Sequence, residues 1–223
     1  MVQSPLSTEI LFYIGPIPIA AAVVTTWAIM ATLALVCLIG FGTRRADGGA
    51  LQTSLEIVVE TMLSQIRSIV GPRSAAFAPL LMTLFIFVVC ANLSAVLPGV
   101  KAPTAHLETP AALAVIVFIS AHYYGIRAQG LVNYLRHYTR PNWILTPLNM
   151  LAELTRTFSL MIRLFGNMMS HELVLTIIVV LAGLLVPVPF LALGLLIGLI
   201  QAYIFTVLAT VYIGAASASI SIE

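Results

Sequence analysis

"PLNMLAELTRTFSLMIRLFGNMMSHELVLTIIVVLAGLLV", residues 147–186, runs for 40 residues with no proline after its first position, and it carries Arg163 inside an apolar stretch. At about 1.5 Å per residue it makes roughly 60 Å of helix. The hydrocarbon of a bilayer is about 30 Å thick. Part of such a helix projects into water, and the rest tilts more steeply than mismatch alone requires. A steep tilt points to packing against a large or curved partner.

The rest of the chain agrees with a membrane setting. Of 223 residues, 61% are hydrophobic and 8% charged, against about 25% charged in a soluble domain. That leaves too little polar surface to cover a water-soluble globule, so the chain reads as polytopic. A net charge of +2 is too small for a nucleic-acid footprint. Cys37 and Cys90 both lie in apolar runs, where free cysteines serve as small core residues rather than a disulfide framework. "MVQSPLSTEI" has no basic residue ahead of the first apolar run, so a cleaved signal peptide is not expected.

About 20 apolar residues cross the hydrocarbon. The expected fold is an all-α integral membrane protein forming a single membrane domain over residues 1–223, with about five membrane-embedded helices and one interfacial amphipathic helix. Residues 1–15 form an external N-terminus, 16–41 the first helix, and 75–97 with 110–127 a hairpin. Residues 147–186 and 190–217 form a long, steeply tilted hairpin, separated by "VPVPF". Thr109 with Pro110, and Thr146 with Pro147, are read as cap and first helical position. No internal repeat or low-complexity segment stands out.

Residues 51–70 read differently. Leu51, Leu55, Val58, Met62, Ile66 and Ile69 recur at steps of three and four, while Glu56, Glu60, Gln65 and Arg67 fall mostly off that stripe. The pattern is an amphipathic helix, and its charges favour the membrane surface over a crossing. Packing against the other crossings is compatible with that placement.

Arginine placement orients the chain. Arg44, Arg45, Arg67, Arg73, Arg127, Arg136 and Arg140 follow the first and third crossings, whereas the turn after the second holds only Lys101. The N-terminus is expected outside, with segments 42–74 and 125–146 and Glu223 in the cytoplasm.

The long helix carries Glu153, Arg156, Arg163, His171 and Glu172. A charge at mid-bilayer costs about 2.5–3.5 kcal/mol on insertion scales, and a guanidinium cannot escape by losing its proton. Arg163 therefore meets water or an anion. The alternative is an internal salt bridge between two helices. Glu172, nine residues on, points about 180° away on an ideal helix, whereas Asn167 lies about 40° from the arginine. No other carboxylate lies deep in an apolar run, so the anion is expected on another chain or as a transient visitor. Gln201 needs a hydrogen-bonding partner in its apolar run, and with His171, Glu172 and Asn167 it lines a candidate hydrated path. Gly194 and Gly198, "GLLIG", permit close approach of backbones. Desolvation disfavours the charged form of a carboxylate or imidazole, which brings proton exchange towards neutral pH.

"SLMIRLFGNMMSHELVL" resembles the arginine helix of the subunit a family of F-type ATP synthase membrane sectors, and "LIQAYIFTVLATVYIGAA" resembles that family's last helix. "NLSAVLPGVKAPTAHLETPAALAVIVFISAHYYGIRAQG" resembles its middle hairpin, and "LTPLNMLAEL" the approach to the arginine; the resemblance spans roughly residues 75–220. It implies a stator ion-channel subunit with two offset half-channels that pass protons or Na⁺ to and from the carboxylates of a rotating c-ring. Arg163 would be the separator facing the rotor carboxylate. Asn167, Glu172 and Gln201 match the outward half-channel, Glu153 an acidic cytoplasmic position, and Ser159 and Asn92 further polar positions. Some members carry a histidine where this chain has Gly194, and His171 is expected to supply that imidazole from the other helix. The resemblance also implies b-type peripheral stalk subunits and the remainder of the F1Fo complex as partners, beside membrane lipid. It implies no cofactor and no catalysis on ATP by this chain, and it suits a bacterial plasma membrane, with an organellar inner membrane as the alternative.

One charge moved through 100 mV is worth about 2.3 kcal/mol, so several ions per ATP suit a stepwise ring. Arginine serves better than lysine as separator because it stays charged and is less strongly hydrated. A stand-alone secondary transporter would bring repeats and broken helices around a midplane site, and neither is seen. Ser170, His171 and Glu172 supply the letters of a hydrolase triad, but helix neighbours point about 100° apart. His171 has no mate four residues away for a metal.

Overall fold

The computed structural model describes residues 10–14, 17–42, 50–96, 102–134, 146–183 and 186–218. Arg44, Arg45, Lys101, Arg136, Arg140 and Glu223, used above for orientation, lie outside them, as do the side chains of Arg73, Leu51 and Leu55.

The protein is an all-α integral membrane protein with a small β-ribbon ahead of the helices. Strands β1 (Ile10–Ile14) and β2 (Ile17–Ala20) pair antiparallel. Helix α1 spans Ala21–Gly42, α2 Ala50–Val70, α3 Ala78–Leu93, α4 Glu108–Gln129, α5 Thr146–Ala182 and α6 Pro187–Ser217. All but α2 are long and apolar enough to cross a membrane. Short 3₁₀ segments at Gly71–Ala76 and Pro103–Ala105 join them.

Several boundaries differ from the sequence reading, each for a local reason. The first helix starts at Ala21 rather than Pro16. A residue that precedes proline is pushed towards extended backbone, and Ile17 stands before Pro18, which pairs with Tyr13 in the ribbon. Thr109 does not cap α4: the helix begins on Glu108, its N-cap is Leu107, and no side-chain cap bond forms. Pro110 costs nothing there, because the first four N–H groups of a helix have no intrahelical partner. Pro187 opens α6 instead of breaking the chain before it, for the same reason. Gly183, at φ +72°, ends the preceding helix in the left-handed conformation glycine tolerates. The arginine helix thus has 37 residues and α6 has 31, roughly 55 and 46 Å.

Helix α6 is the hub, packed on α2, α3, α4 and α5. Its buried residues Gly198, Gln201, Ala202, Phe205, Thr206, Ala209, Thr210 and Ile213 alternate steps of three and one, the period of one helical face. Small residues on that face let neighbours come close. Leu81 and Val88 of α3, Val117 of α4 and Leu164 of α5 meet it in one apolar core. Helix α1 lies at the periphery, with Leu38 72% exposed.

The buried face of α2 is turned from the expected stripe. Met62 and Ile66 are buried, but Val59, Leu63 and Val70 flank them, while Val58 and Ile69 are exposed. Gly214 of α6 makes room for Val70, since a Cβ there would stand 2.6 Å from Val70 Cγ2. Glu56, Glu60, Gln65 and Arg67 remain on the exposed side.

Candidate functional site: a polar line along the last two helices

Helix α5 has two unlike faces. Leu160, Leu164 and Met168, four residues apart, are buried against the protein. Arg163 and Asn167 are exposed, as are the apolar Phe158 and Ile162 near them, both at 57%. Steps of four also place Ser159, half-buried, on the line that contains Arg163 and Asn167. Arg163 has no hydrogen bond or ion pair among the described residues. Its guanidinium stands on the outward side of the bundle with no carboxylate from the described residues on it.

Asn167 leads inward from that line. Its Nδ2 donates to Oε1 of Gln201 across the α5–α6 contact, at 2.5 Å. Gln201 is 2% exposed, so the amide that an apolar run could not leave unpaired finds its partner on the neighbouring helix.

One turn further along α5, His171 reaches α6. Its Nε2 lies 3.1 Å from the carbonyl oxygen of Phe190. A carbonyl only accepts, so Nε2 carries the proton in this contact and Nδ1 of the neutral ring is left as an acceptor. The imidazole lies where a side chain at position 194 would stand: a Cβ built on Gly194 meets its Nε2 and Cε1. Glu172 is half-buried beside it, and its carboxylate has no partner among the described residues. The two glycines of "GLLIG" thus seat side chains rather than a neighbouring backbone, because Gly198 receives Asn92 in the same way, with 3.0 Å from an added Cβ to the Asn92 Cβ.

The remaining expected residues stand apart. Asn92, on α3, is 3% exposed. Its Nδ2 donates to the Gly198 carbonyl at 2.8 Å, and its Oδ1 accepts from Thr104 at 2.8 Å. Glu153 is half-buried ten residues before Arg163 on α5 and takes part in an interaction of its own. Two contacts went unread in the sequence. Arg156 lies over the ring of Tyr212, 5.9 Å from its centroid, which a shared polar end of the two long helices could have suggested. Thr104 is fully buried and gave no signal, being one hydroxyl in a turn. Every buried side-chain polar atom among the described residues is satisfied, and no group of His, Cys, Asp or Glu among them could hold a metal.

A family model described as ATP synthase A chain matches residues 23–214. A protein named ATP synthase subunit a 2, from Bradyrhizobium sp., is 56% identical over 225 residues, covering 99% of this chain and 99% of that protein. Another of the same name, from Pelobacter propionicus, is 44% identical over 96% of this chain and 94% of its own length. ATP synthase subunit a 1 of Hahella chejuensis is 43% identical over 95% and 90%.

Proposed function

The chain belongs to the ATP synthase A chain family, and from that premise we propose that it is the stator ion-channel subunit of a rotary F-type ATP synthase. Two offset half-channels pass protons or Na⁺ to and from the carboxylates of a rotating c-ring, and this couples ion flow to ATP synthesis or hydrolysis. The observation that carries the reading is Arg163: an exposed guanidinium on the outward face of α5, among apolar residues, without an anion among the described residues. A permanent cation in that position is costly in lipid. A carboxylate on a passing partner offsets the cost, and the attraction releases the ion which that carboxylate carries. The guanidinium does not deprotonate, so it separates the two paths instead of relaying protons between them.

Asn167, Gln201, His171 and Glu172 line the outward half-channel in this reading, Glu153 lies on the cytoplasmic side, and Ser159 and Asn92 are further polar positions of the ion pathway. His171 supplies the imidazole that some relatives place at the position of Gly194; its ring filling that volume supports the assignment. The chain works as one membrane domain in a bacterial plasma membrane, N-terminus outside and C-terminus cytoplasmic. It is assembled with the c-ring, b-type peripheral stalk subunits and the remainder of the F1Fo complex.

The test is ATP-driven ion uptake into vesicles carrying the whole complex, wild type against Arg163→Ala, with passive leak followed in parallel. Loss of pumping in an assembled complex is the expected result. Pumping that survives makes Arg163 a structural residue and refutes the mechanism.

A further inference from the structure

Asn92 and Thr104 form a buried clasp on α6. Thr104 is 0% exposed and Asn92 3%, and Gly198 is buried too. The direction of every bond is fixed by chemistry. The Gly198 carbonyl accepts only, so the Asn92 amide turns its Nδ2 there, at 2.8 Å. Its Oδ1 is then left to accept from the Thr104 hydroxyl, at 2.8 Å. Inside a helix a carbonyl already receives the N–H four residues on. The Asn92 bond is therefore additional to the ladder of α6 and ties that helix to α3 and to the Pro103–Ala105 turn. The close approach needs a glycine: a Cβ at 198 would lie 3.0 Å from the Asn92 Cβ.

Gln201 follows Gly198 by three residues, roughly 4.5 Å along the axis and about 60° around it. Its Oε1 accepts from Asn167, which shares a helix face with Arg163. A helix held at Gly198 keeps Gln201 turned towards α5, whereas one free to rotate about its axis does not. We infer that Thr104 and Asn92 are positioning residues that set the rotation of α6 and so hold the Gln201 amide against Asn167. The role rests on the proposed function only where it bears on ion flow. The positioning itself is a statement about geometry, and Asn92 acts in it by holding a backbone.

The experiment uses the whole complex in vesicles, with Cys37→Ala and Cys90→Ala as background. Asn167→Cys with Gln201→Cys is reacted with a short bifunctional methanethiosulfonate, and cross-link yield reports how α6 faces α5. Thr104→Val, which keeps the shape and removes the hydroxyl, should lower the yield on the order of tenfold, the equivalent of one buried hydrogen bond. Thr104→Ser should restore it. ATP-driven ion uptake, measured without the cysteine pair, should fall with Thr104→Val and recover with Thr104→Ser. If Thr104→Val does not assemble, Thr104→Ala removes the same hydroxyl without placing a methyl against the Asn92 amide, and the same result is expected. Cross-linking at the wild-type level in an assembled hydroxyl-free variant overturns the inference. Reduced cross-linking with unchanged uptake upholds the positioning and instead removes Gln201 from the ion path.

Discussion

Gly194→Ala should act entirely through His171. In an ordinary helix interior the change gains about 1 kcal/mol. Here the new methyl meets the imidazole, whose Cδ2 would stand 2.9 Å away with its Nε2 and Cε1 closer still. The ring must move, and its bond to the Phe190 carbonyl goes with it. A lost hydrogen bond costs about 0.5–1.5 kcal/mol and overfilling a packed site about 1–3 kcal/mol. After the helix gain, about 0.5–3.5 kcal/mol stands against the seated ring, or roughly two- to four-hundredfold in its population. The assay is a double-mutant cycle on ATP-driven ion uptake by the assembled complex, converted to activation free energies. Gly194→Ala should slow uptake in wild type and do nothing further in His171→Ala, where the methyl fills the space the ring has left. A coupling of about 0.5–3 kcal/mol is the expected size for residues in contact. If Gly194→Ala costs as much in the His171→Ala background as in wild type, the imidazole is not what occupies the site. If His171→Ala by itself leaves uptake and its pH dependence unchanged, the ring has no part in ion transfer.

Other consequences can be checked on the assembled protein. Gly214→Ala should loosen α2 by about 1–3 kcal/mol, because its methyl would fall 2.6 Å from Val70 Cγ2; Val70→Ala should relieve it, read as protease protection of α2. Gln129 Nε2 donates to the carbonyls of Ala216 and Ala218 at 3.0 and 2.8 Å. Gln129→Ala should therefore raise hydrogen exchange in the last turn of α6 by roughly tenfold, the loss of about one net hydrogen bond. Leu81→Ala, at a residue 0% exposed, should cost about 2–5 kcal/mol in detergent unfolding, whereas Leu38→Ala, at one 72% exposed, should stay within about 0.5 kcal/mol.

The membrane helices were legible because a bilayer demands long apolar runs, and nothing in this composition offered another use for them. Their ends were less so. Proline reads as a breaker, yet Pro187 sits in the first turn of α6, and the letters alone do not say on which side of it the helix lies. The face of α2 was read in part: Met62 and Ile66 are buried as expected, whereas Val59 and Val70 take the places expected of Val58 and Ile69. Val58 and Val59, and Ile69 and Val70, are adjacent apolar pairs that the letters do not distinguish, and Val70 is the one seated against Gly214. Gln201 stood out because a lone amide in an apolar run requires a partner. Its neighbour Asn167 was equally visible, and the pairing joins residues 34 apart. The Asn92–Gly198 bond spans 106 residues, a distance over which one sequence carries no signal, and Thr104 is a single hydroxyl in a turn.

Gly194 and Gly198 are footprints left for side chains that belong to other helices. The space at 194 belongs to residue 171, and the space at 198 to residue 92. Substitution at these sites is consequently a matter of pairs. A relative that gains bulk at 194 must surrender it at 171, and one that fills 198 must shrink 92. Across related chains the summed volume of each pair should drift far less than either member, so that two positions on different helices vary as a single character.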